Sequence, residues 1–397
     1  MRLKSSNTLG LAFILGSVTA MTPLAIDMYL PAFPAIADDL GAVPTGVQLS
    51  LTSFFIGLAL GQLIYGPLAD KYGRKKPLIG GLLIAALTSF LCATAPSIDA
   101  LILYRFLQAL GVCAGAVIAR AIVRDLFDPK EGARFFSLLM AIMGVAPILA
   151  PLAGSVVSVY LGWPWIFNII GGFAFMTLAG IVIFLPETHE GNSGVRLGRA
   201  LHTYADILKN RTFLKYALAG GFANAGMFAY IAGASFVVQD YFGTSPTFFA
   251  IAFGSNAFGL IGLTQLNRRL LAKHAFPAIL RVGFMVLLAS GIALVAAGAL
   301  GAPLWLFLAP MFFFIASLGM VMPNSMAGAL ATEDTRAGSA SALSGSLTFL
   351  AAFLSSAAVG ALPEKTPIAL ALVMGACALA AFSLSRLPDD PRHPISA

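Results

Sequence analysis

One acidic residue stands inside a long apolar stretch near the start of the chain. This residue, Asp27, lies between Pro23 and Pro31. If the stretch crosses a membrane, the carboxylate must line a cavity, pair with a cation or carry a proton, because lipid cannot solvate it. A carboxyl group balanced among these states can exchange a proton when a cavity opens. We therefore predict that Asp27 couples proton movement or contacts a substrate; a structural partnership with a buried arginine is the alternative.

Two arginines stand in another apolar stretch, at residues 100–122. Arg105 shares a helix face with Gln108, one turn further on, and is predicted to partner Asp27 in the proton coupling. Arg120 lies about 22 Å beyond Arg105 along the same helix, where its side chain is expected to reach the lipid head groups.

The apolar stretches of the second half of the chain hold only neutral polar groups deep inside them. Asparagines stand there among aromatic residues and methionines, each of which alone is more typical of packing or of lipid contact. Together with Asp27 they predict a largely apolar cavity with few polar anchors, which suits a lipophilic small molecule. The predicted substrate-binding residues are Asp27, Tyr29, Gln108, Asn224, Met227, Phe228, Tyr230, Asn256 and Asn324.

A short charged segment joins the second and third apolar stretches. It reads GPLADKYGRKKP, and Asp70 with Arg74 predicts a fixed charge pair, whereas Gly66 and Gly73 predict a tight turn. Further on, Pro147 and Pro151 stand one turn apart and predict a bent helix. The bend suits either a rocking motion or a purely structural role.

Motifs for catalysis or nucleotide use are missing from the sequence. It contains no GxxxxGK[ST] phosphate loop, no HExxH helix and no GxSxG nucleophile turn. The four histidines lie outside the apolar stretches and lack metal-ligand spacing, and the three cysteines lie within apolar stretches, where they suggest no disulfide. We therefore expect no enzyme, no metal and no cofactor.

The composition places these residues in a membrane. Of the 397 residues 59% are hydrophobic and 10% are charged, whereas soluble domains carry about 25% charged residues. A membrane-crossing helix needs about 20 mostly apolar residues. Twelve such runs lie at 9–32, 47–68, 77–96, 100–122, 135–160, 165–186, 214–238, 247–266, 276–298, 303–325, 337–361 and 366–386.

The basic residues predict the orientation, because Lys and Arg stay preferentially in cytoplasmic segments. Of the 24 Lys and Arg residues, Arg105 and Arg120 lie within a run and Lys365 lies on the far side; the other 21 share one side. Both termini are therefore predicted to be cytoplasmic, and the net charge of +7 needs no nucleic acid. The chain divides into halves at 1–186 and 213–397, joined by a cytoplasmic linker at 187–212.

Several of these motifs resemble one transporter family over essentially the whole chain. The turn GPLADKYGRKKP, the segment RFLQALG and the segment from Gly144 to Gly154 are similar to signatures of the major facilitator superfamily. The segments IDMYLPAFP, ARAIVRDLF, APILAP and NAGMF resemble its Bcr/CflA subfamily of drug:proton antiporters. The resemblance implies an all-α membrane protein with twelve helices in two six-helix halves.

The resemblance also implies roles for particular residues. In this subfamily the acid of the first helix carries the coupling proton, and the matching residue of this chain is Asp27. The turn signature holds the outward-facing state through Asp70, Arg74 and an acid after the fourth helix, which is Asp125 here.

The expected function is export of lipophilic drugs such as bicyclomycin or phenicols, in exchange for protons, across the bacterial inner membrane. The protein is expected to work as a monomer in contact with lipid, by alternating access between its halves. Proton-coupled transport of an endogenous metabolite is the alternative on the same fold. An enzyme or receptor has little support, because one acid and one arginine do not supply converging catalytic groups.

Overall fold

The structure is a computed structural model that describes residues 5–127, 129–191, 197–333, 336–362 and 366–390. Within these ranges it describes only the backbone for residues 5–9 and 197–200 and for part of 129–144. Secondary structure in the described ranges is helical, without a β-strand.

The first half of the chain forms seven helices, of which one is short. A single 3-10 turn, Leu30–Ala32, separates the first two helices. The helices are α1 (Ser5–Asp27), α2 (Phe33–Asp39), α3 (Pro44–Tyr72), α4 (Lys75–Ala93), α5 (Ile98–Leu126), α6 (Pro129–Leu161) and α7 (Trp163–Phe184).

The linker and the second half add seven further helices in the described part of the chain, of which α8 lies in the linker. The segment Val237–Tyr241 continues α9 as a wider, π-type turn. The helices are α8 (Leu197–Ile207), α9 (Arg211–Phe236), α10 (Pro246–Leu270), α11 (Phe276–Ala299), α12 (Leu304–Leu330), α13 (Ala337–Ala361) and α14 (Pro367–Ser385).

Each predicted run corresponds to one long helix. By length and composition, eleven spans in the described part of the chain are apolar enough to cross a membrane. The remaining predicted run lies in α6, a helix of 33 residues whose described apolar part, Val145–Leu161, is shorter. The chain is therefore a multi-pass, all-α membrane protein with twelve long helices, as predicted.

The long helices form two groups that follow the chain order. In the first group α5 packs between α3 and α4, α7 packs on α4, and α1 packs on α6. In the second group α9 packs on α13 and α14, while α12 packs on α10 and α11. The groups meet where α3 packs on α13 and α6 packs on α10. Two six-helix halves thus enclose the interface between them.

The two ends of this bundle differ. We call the end that carries the α3–α4 turn, with Arg74, the basic end, and the opposite end the distal end. At the distal end the Thr52 and Ser356 hydroxyl oxygens lie 2.6 Å apart, which joins α3 to α13. The Ser235 hydroxyl of α9 donates to the Leu30 carbonyl, after α1, at 2.8 Å. The halves are therefore in direct contact at the distal end.

The segment between the halves contains a helix that the sequence analysis did not predict. This helix, α8, buries Tyr204 and Ile207. The Tyr204 hydroxyl donates to the Leu63 carbonyl of α3 at 3.3 Å. The polar composition of the segment gave no sign of the helix, because only Tyr204 and Ile207 are buried among residues 201–207.

Candidate functional site

The carboxylate of Asp27 lies between the two halves. Asp27 is the last residue of α1, and the helix gives way there to the turn that contains Pro31. The residue is 4% exposed, and no hydrogen bond or ion pair to its carboxylate occurs among the described residues. Tyr230 of α9, in the other half, is close enough to Asp27 for an electrostatic interaction between the two side chains. The predicted proton-coupling acid is therefore buried without a cation to neutralise it.

The arginine predicted as its partner binds elsewhere. Arg105 is fully buried, and its Nη2 atom donates to the Ala25 carbonyl of α1 at 2.9 Å. Its guanidinium lies 4.2 Å from the ring centroids of both Tyr29 and Phe54. Aromatic faces attract a cation that has lost its water. Among the described residues Arg105 forms no ion pair with Asp27, because aromatic rings and a carbonyl hold its guanidinium, and its part in proton coupling stays a prediction.

Two predicted substrate-binding residues belong to this arginine site. Gln108 is fully buried, accepts a hydrogen bond from Arg105 and donates to the Ser89 hydroxyl of α4 at 2.7 Å. Tyr29 is fully buried too, and its ring also packs on Phe167 at 5.6 Å. Both side chains surround Arg105 within the first half, and their contact with a substrate stays a prediction.

On the other side of Asp27, a second group of predicted residues comes together. The Asn256 amide of α10 donates to the Tyr230 hydroxyl of α9 at 2.9 Å. The Tyr230 ring stacks on Phe253, with centroids 5.3 Å apart and planes 19° apart. We call Asp27, Tyr230 and Asn256 the polar triad. A hydrogen bond joins Tyr230 to Asn256 within the second half, and Asp27 faces them from the first half through electrostatic interaction alone.

Aromatic side chains continue this surface across the halves. Phe228 of α9 meets the Phe55 ring of α3 edge-on, with centroids 4.6 Å apart. Phe228 also lies 5.8 Å from the ring of Phe349 on α13. The polar triad therefore has apolar, aromatic neighbours, and the predicted cavity for lipophilic molecules beside it stays a prediction.

The remaining predicted substrate residues differ in their surroundings. Asn224 is buried, and its side-chain oxygen has no hydrogen-bond partner among the described residues. Met227 is half-buried beside the core. The Asn324 amide donates to the Asn267 side-chain oxygen at 2.7 Å, which ties α12 to α10. Asn224 thus offers an unused acceptor, whereas Asn324 is engaged in a contact between helices.

At the basic end the structure assembles the predicted charge cluster. The Arg74 Nη1 atom lies 2.6 Å from Asp70, and its Nε atom lies 2.8 Å from Asp125 at the end of α5. Burial lowers the pKa of Arg74, but hydrogen bonds and charges from Asp125 and Asp70 outweigh it and raise the pKa above its ordinary value. Arg74 therefore stays charged and links α3 and α5.

The turn that presents Arg74 depends on one glycine rather than two. Gly73 ends α3 with φ at +86°, in a region that favours glycine. Gly66 lies inside α3 with open space beside it, so the expectation that it forms part of the turn is wrong. The helix simply continues through Gly66 to Tyr72.

The sequence analysis missed one acid at this turn. The Glu187 carboxylate, just after α7, accepts the backbone N–H of Arg74 at 2.7 Å and that of Lys75 at 3.1 Å. These N–H groups open α4, where a helix has unpaired donors and a partial positive charge. A signal was present in the acid that directly follows the sixth apolar run, but nothing in the sequence showed where the end of α7 would lie.

The predicted proline helix lies against α1, next to the polar triad. Pro147 and Pro151 both lie inside α6. One turn further on, a Cβ atom at Gly154 would overlap the carbonyl of Met28, the residue after Asp27. The absence of a side chain at Gly154 therefore allows α6 to approach the end of α1.

Arg120 also differs from its expected position. Its Nη2 atom donates to the Gln62 side chain of α3 at 3.3 Å, and its Nε atom donates to the Ala116 carbonyl at 3.0 Å. The side chain is thus held between α3 and α5 and does not extend to the head groups, because polar acceptors inside the bundle satisfy it.

Comparisons with known proteins agree with this architecture. A model of the Major Facilitator Superfamily matches residues 15–356. The chain is 38% identical to an uncharacterized MFS-type transporter, YdgK, of Bacillus subtilis, covering 95% of this chain and 96% of that protein. It is 30% identical to a bicyclomycin resistance protein homolog of Haemophilus influenzae, covering 91% and 92%. It is also 30% identical to a chloramphenicol resistance protein of Pseudomonas aeruginosa, covering 83% and 78%.

A solved structure extends the comparison to the fold. The crystal structure of a D-xylose-proton symporter superposes with a TM-score of 0.75 over 97% of this chain and 99% of that one, at 14% identity. An identity this low indicates a shared fold alone. The family model and the relatives identify a transporter rather than an enzyme. The chain therefore belongs to the Major Facilitator Superfamily, and to the Bcr/CflA-type transporters within it, as its motifs predicted.

Proposed function

We propose that this transporter exports lipophilic small molecules, such as bicyclomycin or phenicols, in exchange for protons. The basic end faces the cytoplasm of a bacterium and the distal end faces the outside of the inner membrane, with both termini cytoplasmic. The halves, residues 1–186 and 213–397, move against each other about the linker 187–212. The names of the two 30%-identical relatives support a drug as the substrate.

The observation that carries the proposal is the burial of Asp27 without a cation. A buried carboxylate with no cation is stable only when it carries a proton, because ionisation in a dry site costs several kcal/mol. When the halves open and water reaches Asp27, the proton can leave. Proton release at one end and proton uptake at the other then accompany each cycle, provided that the two states bind the proton differently.

The surroundings of Asp27 indicate how a substrate competes with the proton. Tyr230 and Asn256 offer hydrogen-bonding groups beside Asp27, and Asn224 offers an unpaired oxygen. Phe228 and Phe253 supply apolar contact. A lipophilic molecule that enters from the cytoplasmic side replaces water around Asp27, so its binding and the charge of Asp27 are coupled.

The Arg74 cluster takes a different part in this cycle. Arg74, Asp70 and Asp125 lie in the first half and Glu187 is the first residue of the linker, so the cluster makes the basic ends of α3, α4 and α5 and the segment after α7 move as one body. Because the first half moves as a rigid body, a change in the charge of Asp27 alters the contacts of this half with the second half.

The proposal is tested with Asp27→Asn in an efflux-deficient bacterium. Asp99→Asn is the matched control, because it removes an exposed carboxylate at the start of α5. We expect wild type and control to raise resistance to at least one compound among bicyclomycin, phenicols and lipophilic cations, and Asp27→Asn to abolish it at equal membrane expression. In inside-out vesicles, addition of that compound should dissipate an imposed pH gradient only with wild type or control.

Other outcomes would change the proposal in defined ways. Resistance that survives in Asp27→Asn would remove this carboxylate from proton coupling. The absence of resistance from well-expressed wild type would contradict drug export and favour transport of an endogenous metabolite. Accumulation of metabolites with the proton gradient imposed and collapsed would then measure the direction of that transport.

A further inference from the structure

A pocket with no part in the proposed transport opens at the basic end of the second half. It has a volume of about 270 Å³ and lies between the starts of α9 and α11 and the end of α14. The residues that define its chemistry are Lys215, Arg281, Phe284, Phe382, Arg386 and Asp389.

The charges around this pocket are predominantly positive. Lys215 pairs with Asp389, with Nζ and Oδ1 2.8 Å apart. Arg281 and Arg386 are exposed, and neither forms an ion pair in the described part of the chain. The guanidinium of Arg386 lies 4.8 Å from the Phe382 ring centroid, which holds it at the pocket. Two cations are therefore left to bind an anion, and the planar guanidinium suits the oxygens of a phosphate.

The walls of the pocket below these charges are apolar. Phe284, Leu280 and Ala219 line it together with the Phe382 ring. A free inorganic anion gains nothing from such walls, whereas a molecule with a charged head and hydrocarbon chains uses both parts.

The position of the pocket in the bundle favours the same kind of ligand. It lies where three membrane-spanning helices begin or end, at the level expected for lipid head groups. The two helices that supply its free arginines also expose apolar side chains further into the membrane, Met285 on α11 and Leu379 on α14. Basic pockets between transmembrane helices at this level bind anionic head groups.

We propose that this pocket is a binding site for an anionic phospholipid, with the lipid phosphate between Arg281 and Arg386 and the acyl chains along α11 and α14. The proposed orientation of the transporter places this lipid in the cytoplasmic leaflet, and only that placement rests on the proposed function. The site itself is independent of Asp27 and of the direction of transport.

Native mass spectrometry of the purified full-length protein in detergent tests the proposal. The probes are dioleoylphosphatidylglycerol and dioleoylphosphatidylcholine, which share their acyl chains and differ in net charge. We expect wild type to prefer phosphatidylglycerol at least tenfold. Because a basic residue directly beside a bound anionic head group contributes about fivefold to its affinity, the double variant Arg281→Gln/Arg386→Gln should lose phosphatidylglycerol affinity about 25-fold.

A second pair of arginines provides the matched control. Arg268 and Arg269 are exposed at the end of α10, at the same end of the bundle but outside the pocket. The double variant Arg268→Gln/Arg269→Gln has the same change in net charge and should bind phosphatidylglycerol within twofold of wild type. Asp389→Asn should bind the lipid more tightly than wild type, since it removes the one carboxylate among the described residues that line the pocket.

Three results would overturn the proposal. The first is equal binding of the two lipids by wild type. The second is equal loss of affinity in the two arginine double variants, which would indicate a general charge effect. The third is displacement of phosphatidylglycerol by millimolar inorganic phosphate, which would indicate a site for a free anion. Since no transport is measured, failure here leaves the proposed export unaffected, and the reverse also holds.

Discussion

The close contact between α6 and α1 predicts the effect of adding a side chain at Gly154. A Cβ atom at Gly154 would overlap the Met28 carbonyl, and the obstacle is backbone, which cannot rotate away. Gly154→Ala therefore forces α6 and α1 apart next to Asp27. At Gly80 on α4, a Cβ atom would meet no heavy atom within 4 Å, so Gly80→Ala is the matched control.

The expected changes in the free energy of unfolding have opposite signs for Gly154→Ala and Gly80→Ala. Overfilling a packed contact costs about 1–3 kcal/mol, and a backbone obstacle places Gly154 near the upper value. Replacing a helical glycine by alanine gains about 1 kcal/mol at either site. We expect Gly154→Ala to lose about 2 kcal/mol of stability and Gly80→Ala to gain up to about 1 kcal/mol.

Thermal unfolding of both variants in one detergent measures this difference. Tryptophan fluorescence reports the transition, since the chain has three tryptophans. The midpoint should fall for Gly154→Ala and should rise or stay unchanged for Gly80→Ala. Equal midpoints for the two variants would refute the argument that α6 approaches α1 through Gly154.

Two further predictions concern the turn at the basic end. The Asp125 side chain is 19% exposed, and Arg74→Gln removes its cation. We expect the free energy of unfolding to fall by about 2 kcal/mol. This is less than the full cost of breaking a buried ion pair, because water reaches the site. Glu187→Gln weakens the cap on the first N–H groups of α4 and should cost about 1 kcal/mol. Thermal unfolding in detergent measures both changes.

The control for both variants is Lys76→Gln, an exposed cation in the same turn, which should leave the midpoint unchanged. If Arg74→Gln behaves like Lys76→Gln, the cluster does not stabilise the basic end. A Glu187→Gln midpoint at or above that of wild type would show that the cap on α4 contributes nothing.

Local patterns in the sequence were sufficient to predict the membrane architecture. The twelve apolar runs correspond to the long helices, because lipid demands about 20 apolar residues per crossing whatever the rest of the fold. The pairing of Asp70 with Arg74 was predicted from their spacing in the turn, whereas Asp125 was added through family resemblance, since it lies far from Arg74 in the chain.

Contacts that depend on helix rotation could not be predicted in this way. Arg105 was expected beside Asp27, yet it points at the aromatic faces of Tyr29 and Phe54. Arg120 was expected at the head groups, yet it binds Gln62. Spacing along a helix shows which residues share a face, but the neighbour of that face depends on how all twelve helices pack.

The contacts at the distal end have a consequence for the energy of the transport cycle. The bonds of Thr52 with Ser356 and of Ser235 with Leu30 are between neutral groups, and no ion pair between described residues joins the halves there. Neutral hydrogen bonds contribute about 1 kcal/mol each, because water replaces them on opening. These polar contacts therefore add only about 2 kcal/mol to the closure and, being neutral, do not respond to ionic strength. Opening of the distal end must also separate apolar packing between the halves, such as the Phe33 ring against Phe236, so most of the preference that a proton or a substrate must supply is spent on apolar surface.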